Sequence, residues 1–377
     1  MKVALWGWNG KRNIGDDAMT LSMIEGLVKN YSVKKISIID CDLDDLSMSY
    51  LDNYRTQYNI SGLNLKKWFY KYKFFRNLYL FFILPITLSF RYDLVIIGGG
   101  SIFHTYKSNL MYLNLIYIRN ILLAKCKIIS LGTSAGPFRT IVAQKIFNKI
   151  LQKIDLISVR DKRSYQYCKA LPHIALNYSC DIALALPQLR LIETSKKNRV
   201  NIILRQGHIT DNISAIIKEA IIHLTREYPL SEIVFLSACS YQLVSENDDI
   251  CNADFINSLP SELKRKVRSI SYSSDPISFY KELGEAKLNI SVRLHGTIIS
   301  YAMNTPFIAI SYHTKCSDFF HDLSMNKKFL FENSERKPME IVNLIDDIML
   351  AGENILNTEI NDSMGHFKAL REILPQL

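Results

Sequence analysis

The sequence predicts an α/β protein built of two doubly wound domains that face each other across a cleft. Three observations predict it. Apolar runs of strand length alternate with helical periodicity, the pattern of a parallel sheet covered on both faces. The alternation breaks once, at the polar and basic stretch 187–199, and then restarts. The chain has 377 residues, which suits two domains better than one. The expected division is 1–190 and 191–377.

In the first half, residues 1–6 read as a buried strand, followed by a glycine-bearing turn and a helix over 16–29. Residues 35–39 form a second strand. A third, 93–97, ends in Gly98-Gly99-Gly100. Residues 127–131 and 156–159 continue the series, with a helix over 142–151. In the second half, strands are expected at 200–204, 232–237, 267–270, 288–292 and 307–310, with a helix over 212–228. A further helix follows Arg293-Leu294-His295-Gly296, over 297–303. The last stretch, 338–377, has helical periodicity and is expected to pack back across the domains.

Hydrophobic residues make up 48% and charged residues 22%, so large cores are affordable and wholesale disorder is excluded. The net charge of +10 points to an acidic partner: nucleic acid, an anionic membrane surface or a phosphorylated substrate. Seven cysteines are scattered without a C-x-x-C pair, so zinc and redox motifs lack support. Their odd number, with no signal peptide, suggests a reducing cytosol. No apolar run reaches the roughly 18–20 residues of a spanning helix.

Residues 65–92 stand apart. Lys66, Lys67, Lys71, Lys73 and Arg76 interleave with Trp68, Phe69, Tyr70, Phe74 and Phe75. An apolar stretch interrupted by Pro85 follows. One reading is a helix in a lipid headgroup layer; the other is a helix packed on the sheet with snorkelling lysines. A nucleic-acid partner is not expected, because no recognition motif accompanies the basic residues.

Chemistry gathers at strand ends. Gly7, Gly10 and Gly15 surround the first strand–helix turn but lack the dinucleotide-binding spacing. Asn13 and Asp16 lie where the first helix starts: either a capped helix end or an amide-and-carboxylate rim for sugar hydroxyls. Gly98, Gly99, Gly100 and Ser101 close a strand, as a tight turn or as backbone that a ligand approaches closely. His104 follows. In the second half, Arg205 ends one strand, Arg293 and His295 end another, and Lys315 lies just past a third. Three cations at strand ends of one sheet suit an anion, since open α/β sheets bind ligands at that edge. No cluster has metal-ligand spacing and no Ser-His-Asp arrangement stands out.

At these residues the chain resembles the polysaccharide pyruvyltransferase family. The resemblance rests on Asn13-Ile14-Gly15-Asp16-Asp17-Ala18, Gly98-Gly99-Gly100, Ser134-Ala135-Gly136-Pro137, Val159-Arg160-Asp161 with Ser164, and Cys180-Asp181. It extends to Arg293-Leu294-His295-Gly296 with Pro306 and to Tyr312-x-x-Lys315. It implies two Rossmann-like domains of GT-B-like arrangement, with the acceptor on the first and phosphoenolpyruvate on the second. It also implies transfer of a pyruvyl group onto two hydroxyls of a sugar, giving a ketal. Arg205, Arg293 and Lys315 would hold the donor. Asn13, Asp16, Gly99, Gly100, Ser101 and His104 would face the acceptor, a sugar or lipid-linked oligosaccharide. Where many members carry an acidic residue after the glycine run, this chain has His104.

Arginines suit the donor's carboxylate and phosphate. Ketal formation needs a proton on the methylene carbon, and His295 is the expected general acid. No metal or organic cofactor is called for. The expected location is the cytoplasm, at the inner face of the membrane if 65–92 binds lipid. The alternatives are a GT-B-like glycosyltransferase using a nucleotide sugar and a non-enzymatic partner-binding protein of polysaccharide assembly.

Overall fold

The computed structural model describes residues 1–7, 12–39, 46–63, 73–171, 175–241, 243–311, 314–332, 337–351 and 363–374. It divides into two compact units. The first holds residues 1–10, 16–189 and 362–377; the second holds 11–15 and 190–361. The division is therefore not a single cut near 190. A short loop near the start belongs with the second unit, and the C-terminal helix belongs with the first.

The first unit is a seven-stranded sheet, every pairing parallel. Its strands are β1 (Lys2–Gly7), β2 (Lys35–Ile39), β3 (Ile60–Leu63), β4 (Leu94–Gly100), β5 (Lys127–Thr133), β6 (Leu156–Val159) and β7 (Leu176–Tyr178). The order is β3-β2-β1-β4-β5-β6-β7. The central strands are fully buried apolar runs such as Leu94–Ile97, as helices on both faces require. Behind β4 and β5, Trp6 and Phe103 meet Tyr112 edge-on, and Phe103 packs on Phe147. The helix Tyr106–Ile121 is capped by Thr105 and the helix Ile141–Leu151 by Thr140. At the C-terminus, buried His366 bonds the Ser158 hydroxyl and donates to the Cys180 carbonyl, each at 2.7 Å. That fixes the helix Gly365–Ile373 to this unit.

The second unit is a six-stranded parallel sheet. Its strands are β8 (Arg199–Ile203), β9 (Glu232–Leu236), β10 (Val267–Ile270), β11 (Leu288–Ser291), β12 (Phe307–Ser311) and β13 (Leu330–Glu332). The order is β10-β9-β8-β11-β12-β13. The helix Asp211–Glu227 packs against Glu340–Ala351, where His223 meets Asp346 at 2.6 Å.

Several boundaries differ from expectation. β4 runs on through all three glycines, because Gly98 pairs with Leu131 and Gly100 with Thr133. The helix after β11 begins at Leu294, not at 297, so His295 sits in its first turn. The helical turn Leu186–Leu189 runs into the start of the expected linker, and Arg199 at its end opens β8. Arg199 is drawn inward by ion pairs to Glu232 and Glu282. Residues 64–72, which carry Lys66, Lys67, Lys71 and Trp68, lie outside the described residues.

Candidate active site

In both units the strand order reverses beside the first strand: between β1 and β4, and between β8 and β11. A crevice opens outside the carboxyl ends of the strands at such a reversal. Most of the residues singled out from the sequence follow the strands at these two points; Lys315 follows β12, one strand further along.

In the second unit, Arg205 follows β8 and Arg293 follows β11. These strands are neighbours in register, Ile203 opposite Ser291. Arg293 is held side-on by Asp248, Nε donating at 2.8 Å and Nη2 at 2.6 Å to its two oxygens. Asp248 is wholly buried. It also accepts from the Gln206 backbone N–H at 3.0 Å, which ties the loop after β8 to the same carboxylate. Burial pulls the Arg293 guanidinium down, but Asp248 outweighs it and leaves the group above its ordinary value. Arg205 goes the other way. Burial, then the nearby charge of Arg293, lowers it to about 10, with Asp248 opposing. Two guanidinium groups thus crowd a site where Asp248 is already bonded to one of them. A bound anion relieves that repulsion.

His295 occupies the first turn of the helix Leu294–Ala302. The turn packs tightly: a Cβ on Gly296 would stand 2.2 Å from the Ser291 hydroxyl oxygen, which itself donates to the Arg293 carbonyl at 2.7 Å. The loop 12–15 lies against the same unit. Ile14 donates to the Ala238 carbonyl at 2.9 Å and Ser240 to the Arg12 carbonyl at 3.0 Å. The Asn13 side chain accepts from the Gly15 N–H at 3.1 Å. This delivers Gly15 to the His295 ring, where a Cβ on residue 15 would fall 2.2 Å from Nδ1. Lys315 sits in the first turn of the helix Thr314–Asp322, after β12. Tyr312 lies outside the described residues.

In the first unit, Gly99 and Gly100 take φ of 81° and 79°, a region open to glycine and costly to residues with a Cβ. A Cβ on Gly100 would stand 3.8 Å from the Asp16 carboxylate, so Asp16 and the glycine edge come together at the β1/β4 reversal. Ser101 is next in the chain, and its carbonyl accepts from His104 Nδ1. Asn13 groups with the second unit, whereas the other five residues expected on the acceptor side group with the first.

Arg160, Asp161, Ser164 and Asp181 brace the loop after β5. Arg160 pairs with buried Asp181 at 2.7 Å and donates to the Ser134 hydroxyl at 2.9 Å. Asp161 caps the helix Lys162–Lys169 through Ser164, whose hydroxyl accepts from the Ala135 N–H at 2.7 Å. Sequence reasoning missed Asp248. Its only signal was an Asn-Asp-Asp helix start, which reads as capping and is one: Asn247 caps that helix.

Comparison with known proteins adds the family. The polysaccharide pyruvyl transferase family matches residues 13–314. No curated protein matches the chain. Among solved structures, the chain is similar over 100% of its length to UDP-GlcNAc 2-epimerase from Neisseria meningitidis bound to UDP-GlcNAc. The identity is 14%, 99% of that chain is covered and the TM-score is 0.61. UDP-GlcNAc 2-epimerase from Methanocaldococcus jannaschii is similar with 10% identity, full coverage of both chains and a TM-score of 0.63. E. coli ADP-heptose lps heptosyltransferase II is similar at 14% identity, with 93% and 99% coverage and a TM-score of 0.50. At these identities the likeness is one of fold, and the fold class is GT-B-like.

Proposed function

Because the chain belongs to the polysaccharide pyruvyl transferase family, we propose that it moves a pyruvyl group from phosphoenolpyruvate onto two hydroxyls of one sugar. The acceptor is a cell-surface polysaccharide or its lipid-linked precursor, and the product is a pyruvate ketal. One observation carries the reading. Arg205 and Arg293 stand at the ends of the two strands that flank the second unit's topological reversal, with His295 in the helix turn that follows.

Arginines at such a point suit a compact carboxylate-phosphate, because each offers paired charge-assisted hydrogen bonds. The amino end of the helix Leu294–Ala302 adds favourable potential for negative charge. Lys315 is a third cation for the same ligand. His295 delivers a proton to the methylene carbon, which makes the central carbon electrophilic. A first sugar hydroxyl adds there with loss of its proton. A second hydroxyl then forms the other C–O bond as the C–O bond to phosphate breaks, its proton leaving with the inorganic phosphate, and the ketal closes. In this scheme Asp16 and the backbone edge Gly99–Ser101, with His104, receive the acceptor, and Asn13 holds the loop beside His295. The scheme draws on no metal ion or organic cofactor.

The test compares phosphoenolpyruvate with UDP-GlcNAc by thermal shift and calorimetry. Phosphoenolpyruvate should raise the melting temperature. Arg205→Ala and Arg293→Ala should each weaken its binding by about 1.5–3 kcal/mol, roughly ten- to hundredfold. His295→Ala should keep donor binding and lose about 10²–10⁴-fold in turnover. Stabilisation by UDP-GlcNAc with none by phosphoenolpyruvate would reassign the site to a nucleotide-sugar enzyme.

A further inference from the structure

The positive charge of this protein is concentrated in one region of the chain. Residues 53–154 contain fifteen Lys and Arg and one acidic residue, Asp93. The whole protein is only +10, so the rest of the chain is net acidic. Asp93 is engaged at the sheet edge, accepting from the Lys2 backbone N–H at 2.6 Å. This region supplies the helical layer that covers β4 and β5.

The outer surface of that layer is apolar. Residues 73–91 form one helical rod, with a π turn at Tyr79–Ile83 between α-helical Lys73–Leu78 and Leu84–Arg91. Phe75, Leu78, Phe82, Ile83, Ile86 and Phe90 are exposed along it, while Leu84, Pro85, Leu88 and Ser89 face inward. Leu78 and Pro85 are seven apart, as are Phe82 and Ser89. On an uninterrupted α-helix each pair would share a face. Here one member is outside and the other inside. The π turn slips the helical phase by the residue needed to keep the exposed apolar side chains in one stripe.

The neighbouring helix Tyr106–Ile121 continues the stripe. It is joined to the rod by the Asn114 side chain, which donates to the Phe81 carbonyl. Its end projects Ile121, 76% exposed, and Leu123, 87% exposed and at φ 50°. Leu123 and Phe90 rim one open groove of about 670 Å³ that also holds Lys125 and Lys127. On the next helix, Lys145, Lys149 and the following Lys153 are exposed at four-residue spacing. Lys153 Nζ lies 5.4 Å from the centre of the Tyr117 ring on Tyr106–Ile121.

We propose that this face, formed by the rod 73–91, the helix Tyr106–Ile121 and the lysines beside it, lies on an anionic lipid bilayer. Apolar side chains enter the headgroup layer while Arg91, Lys125, Lys145, Lys149 and Lys153 meet lipid phosphates. A second copy of the chain would set like charge against like charge. A nucleic acid would use the lysines but leave the exposed Phe, Ile and Leu side chains without a partner. Only a surface both anionic and apolar satisfies the two halves of the stripe. The inference does not depend on the donor reading of the second unit, and residues 64–72 enter it only through the charge count of the sequence.

The test is co-sedimentation of the full chain with vesicles of phosphatidylcholine alone and of phosphatidylcholine with phosphatidylglycerol. The protein should sediment with the anionic vesicles, be partly released by high salt, and stay free of the neutral ones. Phe82→Ser/Phe90→Ser/Leu123→Ser should weaken binding about tenfold or more, with thermal melting and phosphoenolpyruvate affinity unchanged. Lys145→Gln/Lys149→Gln/Lys153→Gln should weaken it and flatten the salt dependence. Wild-type protein that ignores anionic vesicles at low salt would overturn the proposal, as would undiminished binding by the serine variant. A wild-type dimer that the serine variant disperses would also overturn it and give the face to a second copy.

Discussion

Asp248 grips Arg293 by both oxygens, at 2.8 and 2.6 Å, from a position with no exposed surface. Removing one partner of such a pair leaves the other buried and uncompensated, which costs about 3–5 kcal/mol. Asp248→Ala should therefore lower stability by that order in a denaturant titration. Asp248→Asn keeps the volume and loses the charge. It should destabilise less, yet still weaken phosphoenolpyruvate binding in calorimetry, because the amide offers one acceptor oxygen in place of two and no charge to hold Arg293 side-on.

Gly15 sets the position of the His295 ring, since a Cβ at residue 15 would stand 2.2 Å from Nδ1. The ring is the mobile end of a side chain and can swing aside. Alanine also favours the helical conformation of this position over glycine. Gly15→Ala should thus melt no lower than the wild type and show a reduced kcat, with the KM for phosphoenolpyruvate little changed. Unaltered turnover in that variant would remove His295 from the proton-transfer role.

The Arg160–Asp181 pair fixes the loop that follows β5. Arg160→Met should destabilise the protein by about 3–5 kcal/mol by stranding a buried carboxylate. Adding Asp181→Leu should recover part of that loss, because two apolar groups strand no charge. Chemical denaturation of the single and double variants measures the difference.

Glu232 carries a pH prediction. The Arg268 hydrogen bond, assisted by Arg199 and opposed by burial, holds its carboxyl below the ordinary range. A depressed carboxyl stabilises the fold above its unfolded pKa, near 4.3, and loses that contribution as pH falls through the folded value. Glu232→Gln should melt below the wild type at pH 7. The two curves should converge as the pH drops below about 4.

The edge strands show where the sequence signal fades. β4 and β8 announce themselves as unbroken apolar runs because helices cover both of their faces. β3 reads Ile-Ser-Gly-Leu and β7 Leu-Asn-Tyr, and the latter is only partly buried. Such strands are defined by the neighbour they bond, which local composition does not encode. The helix after β11 began three residues earlier than expected for a related reason. Arg293, at its N-cap position, makes no side-chain cap, so the usual start signal is missing.

The sequence by itself determined the class of the fold, the places of most strands and the family. It also put Arg205, Arg293 and His295 just after strands, since strand length, apolar runs and glycine turns are local properties. Tertiary structure alone decided that β8 lies beside β11, which makes Arg205 and Arg293 neighbours. It decided that Asp248 is the carboxylate Arg293 meets, that loop 12–15 carries Gly15 to His295, and that a π turn aligns the exposed stripe on 73–91. Each of these depends on which distant segments exclude water from one another. That choice is made by packing over the whole unit, and no window of the sequence contains it.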